Sequence, residues 1–156
     1  MRAVRINHVS VNALDLEESA RFYETLFGME RLPTPLFPDG PVLWLRVGDQ
    51  QLHLFERDTP APRYHHLAFD VDDFEAVYLK ARELGLFDDA FGTQIREHPA
   101  GWIQMYVRDP ADNLIEIDSP DAKSLDRSVV TGIRALEDDV AQVGPARTAT
   151  VYTAAR

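Results

Sequence analysis

The sequence predicts an α+β fold built from two βαβββ modules, on three observations: an internal repeat, a strand-turn-helix order within each copy, and strand signals after each helix. Residues 8–28 and 66–85 repeat at a period of 58 residues. His8 aligns with His66, Asp15 with Asp73, Leu16 with Phe74, Glu17 with Glu75 and Leu26 with Leu84. Agreement at that many positions in one register points to duplication of a structural unit rather than coincidence.

In the first copy His8 opens a strand, and Asp15 caps a helix with Glu18 three residues on. Leu16, Ala20, Tyr23 and Leu26 or Phe27 then fall at helical spacing, and Gly28 stops the helix. Two strands follow, Val42 to Val47 and Gln51 to Glu56, joined by a Gly48-Asp49 turn. Pro60, Ala61 and Pro62 break the pattern, so residues 57–63 read as a linker. In the second copy Asp72 or Asp73 starts the helix, Phe74, Val77, Tyr78, Ala81 and Leu84 form its apolar stripe, and Gly85 ends it. Strands from Trp102 to Arg108 and from Leu114 to Asp118 then flank the turn at Asp109-Pro110. One domain is expected over residues 1–120, with modules at 4–56 and 64–118. Beyond it, Leu125, Val129, Ile133, Leu136, Val140 and Val143 lie near helical spacing, which predicts an appended helix within a C-terminal extension, 121–156.

Composition narrows the function. A chain of 156 residues with 45% hydrophobic content can bury a sizeable core. A net charge of −10, with no run of Lys or Arg, disfavours a nucleic-acid footprint and favours small-molecule or protein partners. Without cysteine there is no disulfide, thiolate ligand or Cys nucleophile, so a metal would have to use His, Asp or Glu. The N-terminal stretch has no apolar signal core and no segment reaches membrane-spanning length, so a soluble cytoplasmic protein is expected.

Alternate strand residues point to opposite faces, and only one face can lie under the helices. The apolar parity places Val9, Val11, Leu43, Leu45, Val47, Leu52, Leu54, Leu67, Phe69, Val71, Ile103, Met105, Val107, Ile115 and Ile117 on that face. The opposite face carries His8, Ser10, Trp44, Arg46, Gln51, His53, Phe55, His66, Ala68, Trp102, Gln104, Tyr106, Arg108, Leu114, Glu116 and Asp118, which reads as a polar cavity. By the same parity Glu56 falls on the helix side and His65 points away from His66. Asp72 and Asp73 are helix-start residues rather than ligands.

On these residues the chain resembles the vicinal oxygen chelate superfamily over roughly residues 4–120, whose paired βαβββ modules curl into a half-barrel around a divalent metal. The resemblance implies His8, His66 and Glu116 as metal ligands. The stretch from His98 through Met105-Tyr106, Asp109-Pro110 and Glu116 further resembles the signature of type I extradiol ring-cleavage dioxygenases, with His53 in the place of their acid-base histidine. Asp112 stands where that signature prefers Gly or Pro, and Arg96 where it prefers a small or apolar residue.

Two neutral imidazoles and one carboxylate suit Fe(II), or Mn(II) or another divalent metal, and leave coordination positions open. The resemblance implies an aromatic diol and O2 as partners in a homo-oligomer, with ring cleavage beside one hydroxyl. His53, with an ordinary pKa of about 6.5, would accept and return a substrate proton. His98 and Tyr106 would hydrogen-bond substrate oxygens. Trp44, Phe55 and Trp102 would line an apolar wall, and Arg46 or Arg108 would meet a substrate carboxylate. Two other readings share the fold. A glyoxalase-like isomerase or thiol transferase would consume no O2 and dispense with His98, and a drug-sequestering binding protein would hold no metal.

Overall fold

Each copy of the repeat forms its own mixed sheet in the computed structural model, which describes residues 5–38, 40–59 and 61–152. Contacts divide the chain into two compact units, the residues up to His65 with Asp109–Asn113, and His66–Arg108 with the residues from Leu114 onward. Val4 and Pro60, the start of the first expected module and part of the expected linker, lie outside the described residues.

The first unit runs β1 (His8–Ala13), α1 (Leu16–Phe27), β2 (Glu30–Leu32), β3 (Val42–Val47) and β4 (Gln50–Glu56). Its sheet order is β1-β4-β3-β2, with β1 parallel to β4. Asp15 Oδ1 accepts from the Glu18 amide at 2.8 Å, and Gly28, at φ 62°, ends α1 in the left-handed conformation. The stripe between those stops buries Ala20, Tyr23 and Leu26, with α1 packed on β3 and β4. Leu45, Leu52 and Leu54 are fully buried, each contributing about 1.5–3 kcal/mol through apolar burial.

The second unit runs β5 (His66–Asp70), α2 (Phe74–Leu84), β6 (Ile95–Glu97), β7 (Ile103–Arg108), β8 (Leu114–Ser119) and β9 (Arg134–Ala135), in the order β5-β8-β7-β6-β9. Asp73, not Asp72, caps α2, accepting from the Ala76 amide at 2.9 Å. Short β2 and β6, which the sequence pattern leaves unassigned, complete the βαβββ order in each unit. Three residues are too few for an alternation to stand out.

The expected C-terminal helix is not there. Residues 121–152 instead carry β9, the single turn α3 (Leu136–Asp139) and a 3₁₀ turn at Gly144–Thr148. Asp126 Oδ1 takes both the amide and the hydroxyl of Ser128, and Gly132 sits at φ 75°, so the backbone leaves helical space before Ile133. Helical spacing of apolar residues is therefore misleading here: Val130 is buried, whereas Val140 and Val143 are exposed. Among the described residues, no helix is long and apolar enough to cross a membrane.

Candidate metal-binding and acid-base site

Edge strands carry the two repeat histidines. β1 and β5 each end their sheet, and each alternates exposed and half-buried residues, so His8 and His66 open exposed positions on the polar parity.

In the first unit the polar parity lines an open cavity of about 580 Å³ that includes His8, Ser10, Trp44, Gln51, His53 and Phe55. His53 on β4 sits opposite Ser10 of β1 and Trp44 of β3. Its ring is held between two others, with His8 at 4.4 Å and 13° on one side and Trp44 at 4.4 Å and 9° on the other. Its Nε2 bonds Gln51 Oε1 at 2.8 Å, fixing the ring in its plane. Burial, and then the neighbouring His8, push the His53 imidazole below its ordinary pKa. It is thus neutral near pH 7 and suited to accept a proton. His8 Nδ1 is paired with Asn7 Oδ1 at 2.5 Å, which leaves Nε2 as the nitrogen available to a metal.

In the second unit three hydrogen bonds and one imidazole–carboxylate contact link five side chains in a row. His98 Nε2 bonds Gln104 Oε1 at 2.8 Å, the Gln104 amide donates to the Tyr106 hydroxyl, Tyr106 donates to Glu116 Oε2 at 2.7 Å, and His66 Nε2 lies 3.1 Å from that same oxygen. Strand register explains the row, because Tyr106 stands opposite Glu116 and Gln104 opposite Asp118 across β7 and β8. The face is not an open cavity, as the sequence pattern implies, since Gln104, Tyr106, Glu116 and Asp118 are all buried. Phe91 covers Tyr106 and His66 at ring distances of 4.9 and 5.7 Å, and Trp102 stacks on His98 at 3.6 Å. Burial, then the Glu116 bond and charge, raise the Tyr106 phenol well above its ordinary range, so it serves as a donor rather than a base. Burial pushes the His98 imidazole down, opposed by its bond to Gln104 and assisted by Arg96. Asp118 is pushed up to about 8 by burial, then by Glu116 and Asp70.

The two expected ligands in this unit fit a metal. Two donors about 2.1 Å from one ion at a right angle stand about 3.0 Å apart, close to the 3.1 Å between His66 Nε2 and Glu116 Oε2. His8 belongs to the first unit, and among the described residues no three His, Asp or Glu side chains are grouped as a metal cage.

Other expected contacts are spoken for within the chain. Arg108 pairs with Asp88 at 3.0 Å and Arg46 approaches Glu30 at 3.6 Å, so neither offers an uncommitted cation to a substrate carboxylate. Arg96 pairs with Asp139 at 2.9 Å, which accounts for an arginine at that position. Asp112 adopts φ 66°, a left-handed conformation that Gly takes freely and Asp tolerates, so its departure from the expected Gly or Pro leaves the turn intact. Sequence reasoning left Gln104 and Asp118 without roles, although their parity beside Tyr106 and Glu116 was the available signal. It also left aside the carboxylate of Asp109, which accepts from Tyr23 Oη at 2.8 Å and from the amides of Ala111 and Asn113.

Residues 5–117 match the family described as the glyoxalase/bleomycin resistance protein/dioxygenase superfamily. Human mitochondrial methylmalonyl-CoA epimerase is 23% identical over 128 residues, 73% of this chain and 73% of its own. Among solved structures, the oxidase ChaP-H2 superposes with a TM-score of 0.61 at 28% identity, covering 78% of this chain and 98% of its own. Lactoylglutathione lyase from Agrobacterium tumefaciens gives 0.56 at 25% identity, over 76% and 95%.

Proposed function

Because the chain belongs to the glyoxalase/bleomycin resistance protein/dioxygenase superfamily, we propose that it is a divalent-metal-dependent dioxygenase that opens a catecholic ring in extradiol fashion. Family members are mostly enzymes, and the matched neighbours include an oxidase, a lyase and an epimerase. His66 and Glu116 would hold iron(II), with His8 the third ligand the sequence repeat suggests, and the bound metal would supply a path for electrons from a diol to O2. The observation that carries the reading is the hydrogen-bonded row His98–Gln104–Tyr106–Glu116–His66, which joins the expected ligand pair to the expected substrate-binding pair.

The chain's own residues then divide the proton work. Neutral His53, held between His8 and Trp44, takes the proton a diol loses on binding and returns it to the departing oxygen. Tyr106, which remains a phenol, gives its one proton to Glu116 and accepts from the Gln104 amide, so it holds the carboxylate in place. His98 reaches the same row through Gln104 and steadies charge that builds on the ring oxygens. Trp44 and Phe55 supply an apolar rim to the first-unit cavity.

A glyoxalase-like isomerase is the second reading, favoured by the lyase and epimerase relatives. His53→Phe and His98→Ala decide between them. On the dioxygenase reading both variants keep full iron content and lose at least ~100-fold in turnover of catechol. Loss of iron from His53→Phe would make His53 a ligand instead, unchanged catechol turnover in His98→Ala would remove His98 from the reaction, and an iron-loaded wild type that turns over no catechol would favour the isomerase.

A further inference from the structure

His98 stands on a short hairpin, and much of what holds that hairpin comes from the C-terminal extension, which lies beyond the family match at residues 5–117. β6 is only three residues long, and His98, which follows it, closes the hairpin by donating its amide to the Trp102 carbonyl at 2.9 Å. A strand that short has few ladder bonds of its own. β9 covers its outer edge, pairing Arg134 with Arg96 and Ala135 with Glu97. The Arg96 guanidinium then binds Asp139 at 2.9 Å, and the same carboxylate holds Arg134 of β9. Arg127 binds Glu97 at 3.0 Å, the Ala122 amide donates to the Gly101 carbonyl at 2.8 Å, and the Trp102 indole donates to the Ala149 carbonyl at 3.1 Å.

The extension has its own anchorage, so these ties have something to pull against. Ala122 and Val130 are buried in the core, and Thr131 Oγ1 lies 3.1 Å from the Tyr78 hydroxyl of α2. The ties converge on one ring. Trp102, 7% exposed, stacks on His98 with ring centres 3.6 Å apart and planes 8° from parallel. Gln104 Oε1 holds His98 Nε2 at 2.8 Å. The Gln104 bond fixes one edge of the imidazole and the indole fixes its plane.

We propose that Trp102 is a positioning residue for the ring-opening reaction, kept in place by the C-terminal extension so that His98 meets the substrate oxygen at a fixed angle. The assignment rests on the dioxygenase reading, in which His98 steadies charge on the ring oxygens. A displacement of about 1 Å in such a group costs on the order of 100-fold in rate. Trp102 acts only through His98, so its effect vanishes when His98 is absent, whereas a general loss of packing is felt in either background.

The test is a double-mutant cycle of catechol turnover on the Fe(II)-loaded full chain. Trp102→Leu lowers kcat by roughly 10-fold or more, with iron content and KM changed by less than about 2-fold. Trp102→Phe, which keeps an aromatic face and loses the bond to Ala149, recovers part of the loss. Asp139→Ala, which frees Arg96 and Arg134 without touching His98, lowers kcat in the same direction by a smaller factor. In a His98→Ala background each of these changes alters kcat by less than about 2-fold. Equal losses in the two backgrounds overturn the proposal, and if Trp102→Leu does not fold, Trp102→Phe and Asp139→Ala decide it. A wild-type chain that turns over no catechol defeats the dioxygenase reading instead. The hold on His98 is then read from the carbon-bound imidazole protons of His98 in the iron-free full chain. Their resonances move in Asp139→Ala, and unmoved resonances show that the extension does not set the ring.

Discussion

Tyr106 and Glu116 stand opposite each other on β7 and β8 and share a 2.7 Å hydrogen bond at a site where neither is more than 5% exposed. A carboxylate so far from water depends on its donors, and here they are a phenol on one side and an imidazole on the other.

Tyr106→Phe removes one donor and keeps the ring against Phe91. It lowers folding stability by about 1.5–3 kcal/mol, the range for a hydrogen bond to a charged group. Urea unfolding measures it, and a midpoint equal to wild type would show that the bond contributes nothing.

Glu116→Ala and His66→Ala each remove one member of the 3.1 Å donor pair. Metal content per chain after Fe(II) loading and desalting falls close to zero in both. Retention of metal at the wild-type level in either variant removes that residue from the ligand set.

Asp109→Ala strands the Tyr23 hydroxyl, which is fully buried in α1 and donates to Asp109 at 2.8 Å. The substitution also strips acceptors from the amides of Ala111 and Asn113. Stability drops by about 3 kcal/mol, mostly from the orphaned donors. Asp109→Asn, which retains one acceptor oxygen, loses less, and equal losses in the two variants would contradict this division.

His98 carries a pH dependence. Its folded pKa lies below the ordinary 6.5 because burial disfavours the charged ring, so below about pH 6.5 the unfolded chain binds more protons than the folded one. Stability contributed by neutral His98 is complete above that pH and is lost as pH falls toward the folded pKa. Denaturation midpoints at pH 7.5 and 5.5 show a decline in wild type that shrinks in His98→Gln. An identical decline in the variant would place its origin elsewhere.

Much of the fold was legible because it follows from short-range rules. Asp15 and Asp73 act as caps, Gly28 and Gly85 as left-handed stops, and the apolar parity of β4, β7 and β8 is buried as expected, with Leu45 alone buried on β3. Parity also put His53 beside His8, and Tyr106 beside Glu116. It could not show that the polar face of the second sheet is covered, because the cover comes from Phe91 and from a tail whose path depends on β9 pairing and on the Trp102–Ala149 bond. The C-terminal helix failed as an expectation for a related reason. Spacing recorded the apolar residues from Leu125 to Val143, but Asp126, Ser128 and Gly132 direct the backbone away from a helix.

The central claim, ring opening by O2 at a metal held by this chain, is met most directly by oxygen uptake. The protein is loaded with Fe(II) under anaerobic conditions, mixed with a panel of substituted catechols and exposed to air while dissolved O2 and visible absorbance are followed. The account predicts one O2 consumed per diol, with a yellow ring-fission product, for at least one member of the panel. Full iron loading with no oxygen uptake across the panel would contradict it.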